Sequence, residues 1–199
     1  MNNNFHKKVF SAGQLFEDIG YFLVNIPLMF RSFRNKKIDK AFREKIMTIT
    51  SAVNGCTYCA WFHAGQALSG GISQAEITDM LNLQFNSNAS EFETMALMYA
   101  QHYAETNRNP QNEMTQKLTD YYGSITSGHI LFFIRMISFG NLFGNTWDSV
   151  ISRIKGKPAD SGSLVFEIVF FVSSFWFMIP IMIISKKSRN KNLMLSGSR

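Results

Sequence analysis

With 199 residues, 46% of them hydrophobic, the chain is long enough to bury a core, which excludes a fully disordered chain. The net charge of +6 would suit a nucleic-acid ligand, but lysine and arginine concentrate in short runs, two of which flank the most apolar stretch. This placement indicates lipid head groups as the partner and not nucleic acid. Two cysteines separated by two residues exclude a disulfide scaffold between distant elements and indicate redox or metal chemistry.

The first predicted elements are two helices joined by a basic segment. Residues 11–33 have apolar side chains at helical spacing, and Pro27 is expected to kink or end this helix. Asp39 is the predicted N-cap of the next helix, whose apolar positions run from Phe42 to Val53. The Asn-Gly pair at 54–55 is expected to end it with a turn.

The central part of the chain also has helical periodicity. Two Ser-x-x-Glu patterns, at 73–76 and 90–93, predict capping boxes before apolar runs. Alternation typical of strands is missing from the sequence, so the predicted fold class is all-α. The predicted helices span about 56–69, 77–83, 95–103, 113–122 and 129–154, with a break at 123–128.

The C-terminal part differs in character. Residues 168–185 carry no charge, and 164–185 has the length that a membrane-spanning helix needs, with Glu167 near one end, within reach of head groups. A buried core helix is the alternative. Because the tail is more basic than the linker, the positive-inside rule places it in the cytoplasm. The predicted organisation is an N-terminal helical segment and basic patch (1–38), a helical CxxC domain (39–157), a linker (158–163), a membrane helix (164–185) and a basic tail (186–199).

The residues that indicate chemistry lie between Glu44 and His63. Cys56 is at a predicted helix start, where free backbone N–H groups and the helix dipole favour a thiolate. Cys59 lies one turn further along, so both sulfurs share a face and can close a disulfide. His63, four residues after Cys59, shares that face and is placed to exchange a proton. Glu44 approaches the sulfurs and His63 if the turn at 54–55 folds the two helices together.

Two other interpretations of these residues remain open. The cysteines can be an accidental pair of small core residues. Alternatively, Cys56, Cys59, His63 and Glu44 can ligate a metal, although structural zinc usually has a second, distant ligand pair, which the sequence lacks.

The spacing of Glu44, Cys56, Cys59 and His63 resembles the motif of the carboxymuconolactone decarboxylase-like superfamily, in particular its alkyl hydroperoxidase D-like branch. That motif is Glu, eleven residues, then Cys-x-x-Cys-x-x-x-His. The stretches Ala-Gly-Gln-Ala-Leu and Gly-Gly-Ile-Ser-Gln-Ala-Glu-Ile that follow, and Asn-Thr-Trp-Asp at 145–148, are also similar to the family. The resemblance covers about 39–154 and implies a helical bundle of the alkyl hydroperoxidase D type.

The resemblance also implies an activity. Cys59 would attack a hydroperoxide and become a sulfenic acid, Cys56 would resolve it to a disulfide, and Glu44 and His63 would relay the proton. A lipoyl carrier or a thioredoxin-like protein would reduce the cysteine pair. The resemblance implies no cofactor or metal. It also implies that the protein forms a homo-oligomer. Some relatives carry a histidine between the cysteines, where this chain has Thr-Tyr, so Tyr58 is a candidate relay residue.

The remaining candidates are weaker, and two other functions compete. His102 and His129 are interpreted as structural or solvated, and Trp61 and Phe62 as core residues or as the lining of a site for an apolar peroxide. The competing functions are a membrane-tethered redox sensor or interaction module without catalysis, and a lactone decarboxylase-like enzyme, which would not need two cysteines. Since a secretory signal is not visible, the thiol domain is predicted to be cytoplasmic and membrane-associated.

Overall fold

A computed structural model describes residues 5, 7–84, 90–157 and 162–176. The described residues form eight helices and their connections, which confirms the all-α prediction. The helices are α1 (Ala12–Val24), α2 (Ile26–Arg34), α3 (Lys40–Val53), α4 (Thr57–Ser69), α5 (Gln74–Leu81), α6 (Glu91–Glu105), α7 (Asn112–Ile154) and α8 (Leu164–Trp176).

The N-terminal helical segment is divided into two helices, and the division does not fall at the proline. Asn25 ends α1 and precedes α2, and its side chain donates to the carbonyl of Tyr21 at 2.8 Å. Pro27 lies in the first turn of α2, where a missing N–H breaks no helical hydrogen bond. Pro27 therefore begins a helix where it was expected to kink or end one.

Helix α3 lies at the centre of the bundle and contacts α4, α5, α6 and α7. Its N-cap is Asp39, as predicted, with the carboxylate accepting from the Phe42 amide at 2.8 Å. The main core forms where the apolar faces of α3, α6 and α7 meet. Its fully buried members include Ile46, Ile49, Leu97, Tyr99, Ile130, Phe133 and Ile134.

Helix α7 joins two helices that were predicted separately. Gly123 has non-helical angles (φ 75°, ψ 160°), so the predicted break is a kink at one residue, and 124–128 is helical. By length and hydropathy α7 is, among the described helices, the one candidate for crossing a membrane. However, 61% of its most apolar window is buried in the domain, and core helices of soluble proteins pass the same test, so this evidence for a membrane is weak.

Helix α8 is the described part of the predicted membrane segment; 177–185 and the basic tail lie outside the described residues. It packs against α7, where Phe170 is buried in a second core cluster with Phe10, Leu142 and Trp147. Glu167, expected near lipid head groups, is instead fully buried and accepts two hydrogen bonds from the Arg153 guanidinium, at 2.6 and 3.1 Å.

Candidate active site

The turn between α3 and α4 places the first cysteine. Gly55 adopts the left-handed conformation (φ 73°), and its amide donates to Ala52 at 3.1 Å while the Cys56 amide donates to Ser51 at 3.0 Å. These two bonds form a Schellman motif, the usual helix ending with a left-handed glycine. Since α4 begins immediately afterwards, Cys56 is both the last capping residue of α3 and the N-cap of α4.

Cys56 and Cys59 form a disulfide, with their Cα atoms 5.3 Å apart. The first turn of α4 therefore brings the two sulfurs together, as the sequence spacing predicted. The Cys56 residue is buried, 5% exposed, whereas Cys59 is partly exposed. Of the two sulfur-bearing residues, Cys59 is thus the more accessible to a molecule approaching from solvent.

Glu44 and His63 are in direct contact across the α3–α4 interface. The carboxylate Oε2 of Glu44 lies 2.6 Å from Nδ1 of His63, and both side chains are largely buried, at 9% and 15% exposure. A partner on Nδ1 orients the imidazole and leaves Nε2 for another group. The four residues predicted to form one site therefore lie on two adjoining helices, joined by the Schellman turn.

The Asn-Thr-Trp-Asp segment at 145–148 on α7 is hydrogen-bonded to the turn between α3 and α4. The Asn145 side-chain amide donates to the carbonyls of Asn54 and Lys8, each at 2.9 Å, and is buried. One helical turn earlier, Asn141 accepts from the Ser51 hydroxyl at 3.0 Å. These residues support the α3–α4 turn, although the sequence alone indicated only that they resembled the family.

The aromatic residues beside the cysteines are on the surface. Trp61 and Phe62 are 56% and 43% exposed, so their interpretation as core residues is wrong. Tyr58, the candidate relay residue, is 52% exposed and stacks on Phe62 with ring centroids 6.5 Å apart. Phe62 also meets the His63 ring edge-on at 5.2 Å, which places an apolar surface next to the Glu–His pair.

A buried cation next to Glu44 in the sequence was not predicted. The Lys45 ammonium contacts Glu76 on α5 at 2.6 Å and Glu93 on α6 at 2.8 Å, so it ties three helices together. Burial by itself would lower the pKa of Lys45, but the two carboxylates outweigh it and the pKa is raised. Because Glu76 is engaged here, the first predicted capping box keeps only its serine half, whereas the Ser90–Glu93 box is complete.

The other two described histidines have structural partners. Nε2 of His102 accepts from the Gln111 amide at 3.1 Å, and Nδ1 of His129 lies 2.8 Å from the Asn35 side-chain amide. Within 7–84, 90–157 and 162–176, no group of three or more His, Cys, Asp or Glu side chains is arranged to hold a metal ion.

The fold and the site together define an all-helical domain with a Cys-x-x-Cys pair at a helix start and a carboxylate–imidazole pair beside it. Residues 24–100 match the model of the carboxymuconolactone decarboxylase family. The matched segment contains α2 to α5 and most of α6. The match confirms, for this segment, the resemblance to that superfamily seen in the sequence. No curated protein matches the chain.

Proposed function

We propose that the protein is a thiol-dependent peroxidase of the alkyl hydroperoxidase D type, with Cys59 as the attacking sulfur and Cys56 as the resolving one. The observation that carries the proposal is the 2.6 Å contact between Glu44 and His63, with His63 four residues, about one helical turn, after Cys59 on α4. A metal-free enzyme that activates a thiol needs a positioned base and a group that orients it, and the pair supplies both.

The proposed cycle starts from the reduced pair. His63 accepts the proton of the Cys59 thiol, and the thiolate attacks the terminal oxygen of a hydroperoxide. The O–O bond breaks, Cys59 becomes a sulfenic acid, and the alkoxide takes a proton to leave as the alcohol. The Cys56 sulfur then attacks Cys59, forms the disulfide and expels the sulfenic oxygen as water.

An external dithiol donor completes the cycle by delivering two electrons and two protons to the disulfide. The greater exposure of Cys59 supports its role as the sulfur that first meets the peroxide, and its mixed disulfide with the donor would form there as well. The exposed Phe62 ring next to His63 favours an alkyl or aryl hydroperoxide over hydrogen peroxide as substrate. A lipoyl carrier or a thioredoxin-like protein is the proposed donor.

The test is consumption of cumene hydroperoxide by the full chain, with dihydrolipoamide as reductant. The Cys59→Ser variant is expected to lose turnover. The Cys56→Ser variant, reduced beforehand and mixed with peroxide after the reductant has been removed, should consume one equivalent of peroxide and form a sulfenic acid that dimedone traps. Each variant serves as the control for the other, because both replace one sulfur in the same turn. Equal residual activity in both would contradict this division of roles. Disulfide formation without turnover in the wild type would instead favour a redox sensor.

The cellular setting is part of the proposal. The chain is proposed to act in the cytoplasm, where a dithiol donor is available, in association with a membrane and as a homo-oligomer. Multi-angle light scattering of the detergent-solubilised protein measures the oligomeric state, and a monomer at micromolar concentration would contradict the last point.

A further inference from the structure

Half of the surface of α8 is apolar and faces solvent. Glu167, Phe170 and Ser174 point into the domain and are buried. The side chains on the opposite arc are exposed, and apart from Ser173 at its edge they are all large and apolar: Leu164, Val165, Ile168, Val169, Val172, Phe175 and Trp176. A helix on the surface of a soluble domain normally carries polar residues on this arc, so the arc indicates a hydrophobic partner.

The N-terminal helices also have exposed apolar faces. Phe16, Ile19 and Leu23 form an exposed stripe along α1, and Ile26, Phe30 and Phe33 form one along α2. Helices α1 and α8 pack on the same flank of α7. The Phe139 ring contacts Phe22 of α1 at 5.6 Å and also Phe10, which in turn contacts Phe170 of α8. The inner faces of α1 and α8 therefore pack against one continuous group of aromatic rings.

The contacts between α8 and the rest of the domain limit how much of the chain is available to cross a bilayer. Besides the Arg153–Glu167 pair, the Trp147 indole donates to the Ser174 hydroxyl at 2.8 Å. If α8 remains attached, nine residues, 177–185, separate it from the basic run that begins at Lys186. As a helix they would extend only about 14 Å, less than half of the ~30 Å hydrocarbon core. An extended chain would leave its backbone groups unpaired in lipid.

We infer that this protein binds one leaflet of an anionic membrane with the outer faces of α8, α1 and α2, and that its C-terminal tail stays on the same side as the thiol domain. Charge supports a lipid surface as the occupant. One basic cluster is exposed at the end of α2: Arg31, Arg34, Lys36 and Lys37. A second follows the apolar segment 164–185 in the sequence: Lys186, Lys187, Arg189 and Lys191. Such clusters bind acidic head groups. A single spanning segment would put the tail and the thiol domain on opposite sides of the membrane, whereas binding to one leaflet leaves both in the cytoplasm, where each is predicted to lie.

The first experiment is flotation of the full chain with vesicles of phosphatidylcholine alone or with 30% phosphatidylglycerol. Binding is expected to be stronger to the anionic vesicles, and Val165→Asp/Val169→Asp or Phe16→Asp/Leu23→Asp should each lower the partition coefficient at least tenfold. The matched control is Gln74→Asp/Asn112→Asp, which adds the same charge at exposed helix starts, where a carboxylate is tolerated. Binding that is equal in all variants would overturn the inference. So would a dimer that the aspartates dissociate without any vesicle binding, because a second copy would then cover these faces.

The second experiment tests the side of the tail. Right-side-out and inside-out membranes from cells that express the full chain are treated with trypsin and probed with antibodies to the domain and to the C-terminal peptide. Both epitopes are expected to be lost in the same preparation, the inside-out one. Loss in opposite preparations would mean that the segment spans the bilayer and would overturn the inference. Neither experiment depends on thiol chemistry, so its outcome is independent of the proposed peroxidase activity.

Discussion

Replacing Glu44 by Gln tests whether the carboxylate activates the dithiol. The change keeps the shape of the side chain and a hydrogen bond to His63 but removes the negative charge that would stabilise the imidazolium. A charge-assisted hydrogen bond is worth about 1.5–3 kcal/mol, and this one is short and largely buried. If this whole hydrogen-bond energy stabilises the state in which Cys59 has lost its proton, the substitution should lower the rate of reaction with peroxide roughly 10- to 150-fold.

The assay is stopped-flow mixing of the reduced protein with cumene hydroperoxide, followed by the fluorescence of Trp61, two residues from Cys59. Single-turnover conditions separate this step from reduction by the donor. Glu76→Gln is the matched control, because it removes a similarly buried carboxylate from Lys45 without touching the dithiol, and its rate should stay within about twofold of wild type. A Glu44→Gln protein that is folded and reacts at the wild-type rate would refute the reasoning.

Three further predictions concern stability. Asn145→Ala removes two buried hydrogen bonds and should lower the free energy of unfolding by about 2 kcal/mol in urea titrations; an unchanged midpoint would contradict this. Gly55→Ala places a Cβ at φ 73° and should cost about 1–2 kcal/mol. The control Gly71→Ala, at φ 96° with open space around it, should cost a similar amount, and no loss in either variant would exclude backbone strain. Burial, together with the nearby Arg31 guanidinium, lowers the pKa of His129, so the unfolded chain takes up this proton first as pH falls. The stability of wild type relative to His129→Gln should therefore decrease below about pH 6.5, and a constant difference would argue against the assigned shift.

The parts of the site that could be predicted are those fixed by local rules. Asn54-Gly55 ends α3 because glycine accepts the left-handed conformation, and Asp39 caps α3 because its carboxylate reaches the Phe42 amide. The spacing of Cys56 and Cys59 corresponds to one helical turn. Even the Glu44–His63 contact required only that two consecutive helices fold back at a known turn.

The features that the sequence did not reveal depend on which helices meet. Lys45 finds its partners 31 and 48 residues away, and nothing local marks it as buried. Trp61 and Phe62 were assigned to the core because they are apolar, but α4 is apolar on both its inner and outer faces, so periodicity does not choose between them. The burial of Glu167 likewise follows from Arg153 on another helix, not from its position at the end of an apolar run.

Because both cysteines lie within one helical turn, forming or breaking their disulfide changes the free energy of unfolding only modestly. Closing a ring of only four residues restricts the unfolded chain little, on the order of 2 kcal/mol in the chain-entropy model. With the Cα atoms 5.3 Å apart at the start of one helix, oxidation requires no rearrangement between helices. Loss of either sulfur would thus leave a stable domain. Duplicated copies of such a chain can lose one sulfur in a single substitution and keep the scaffold.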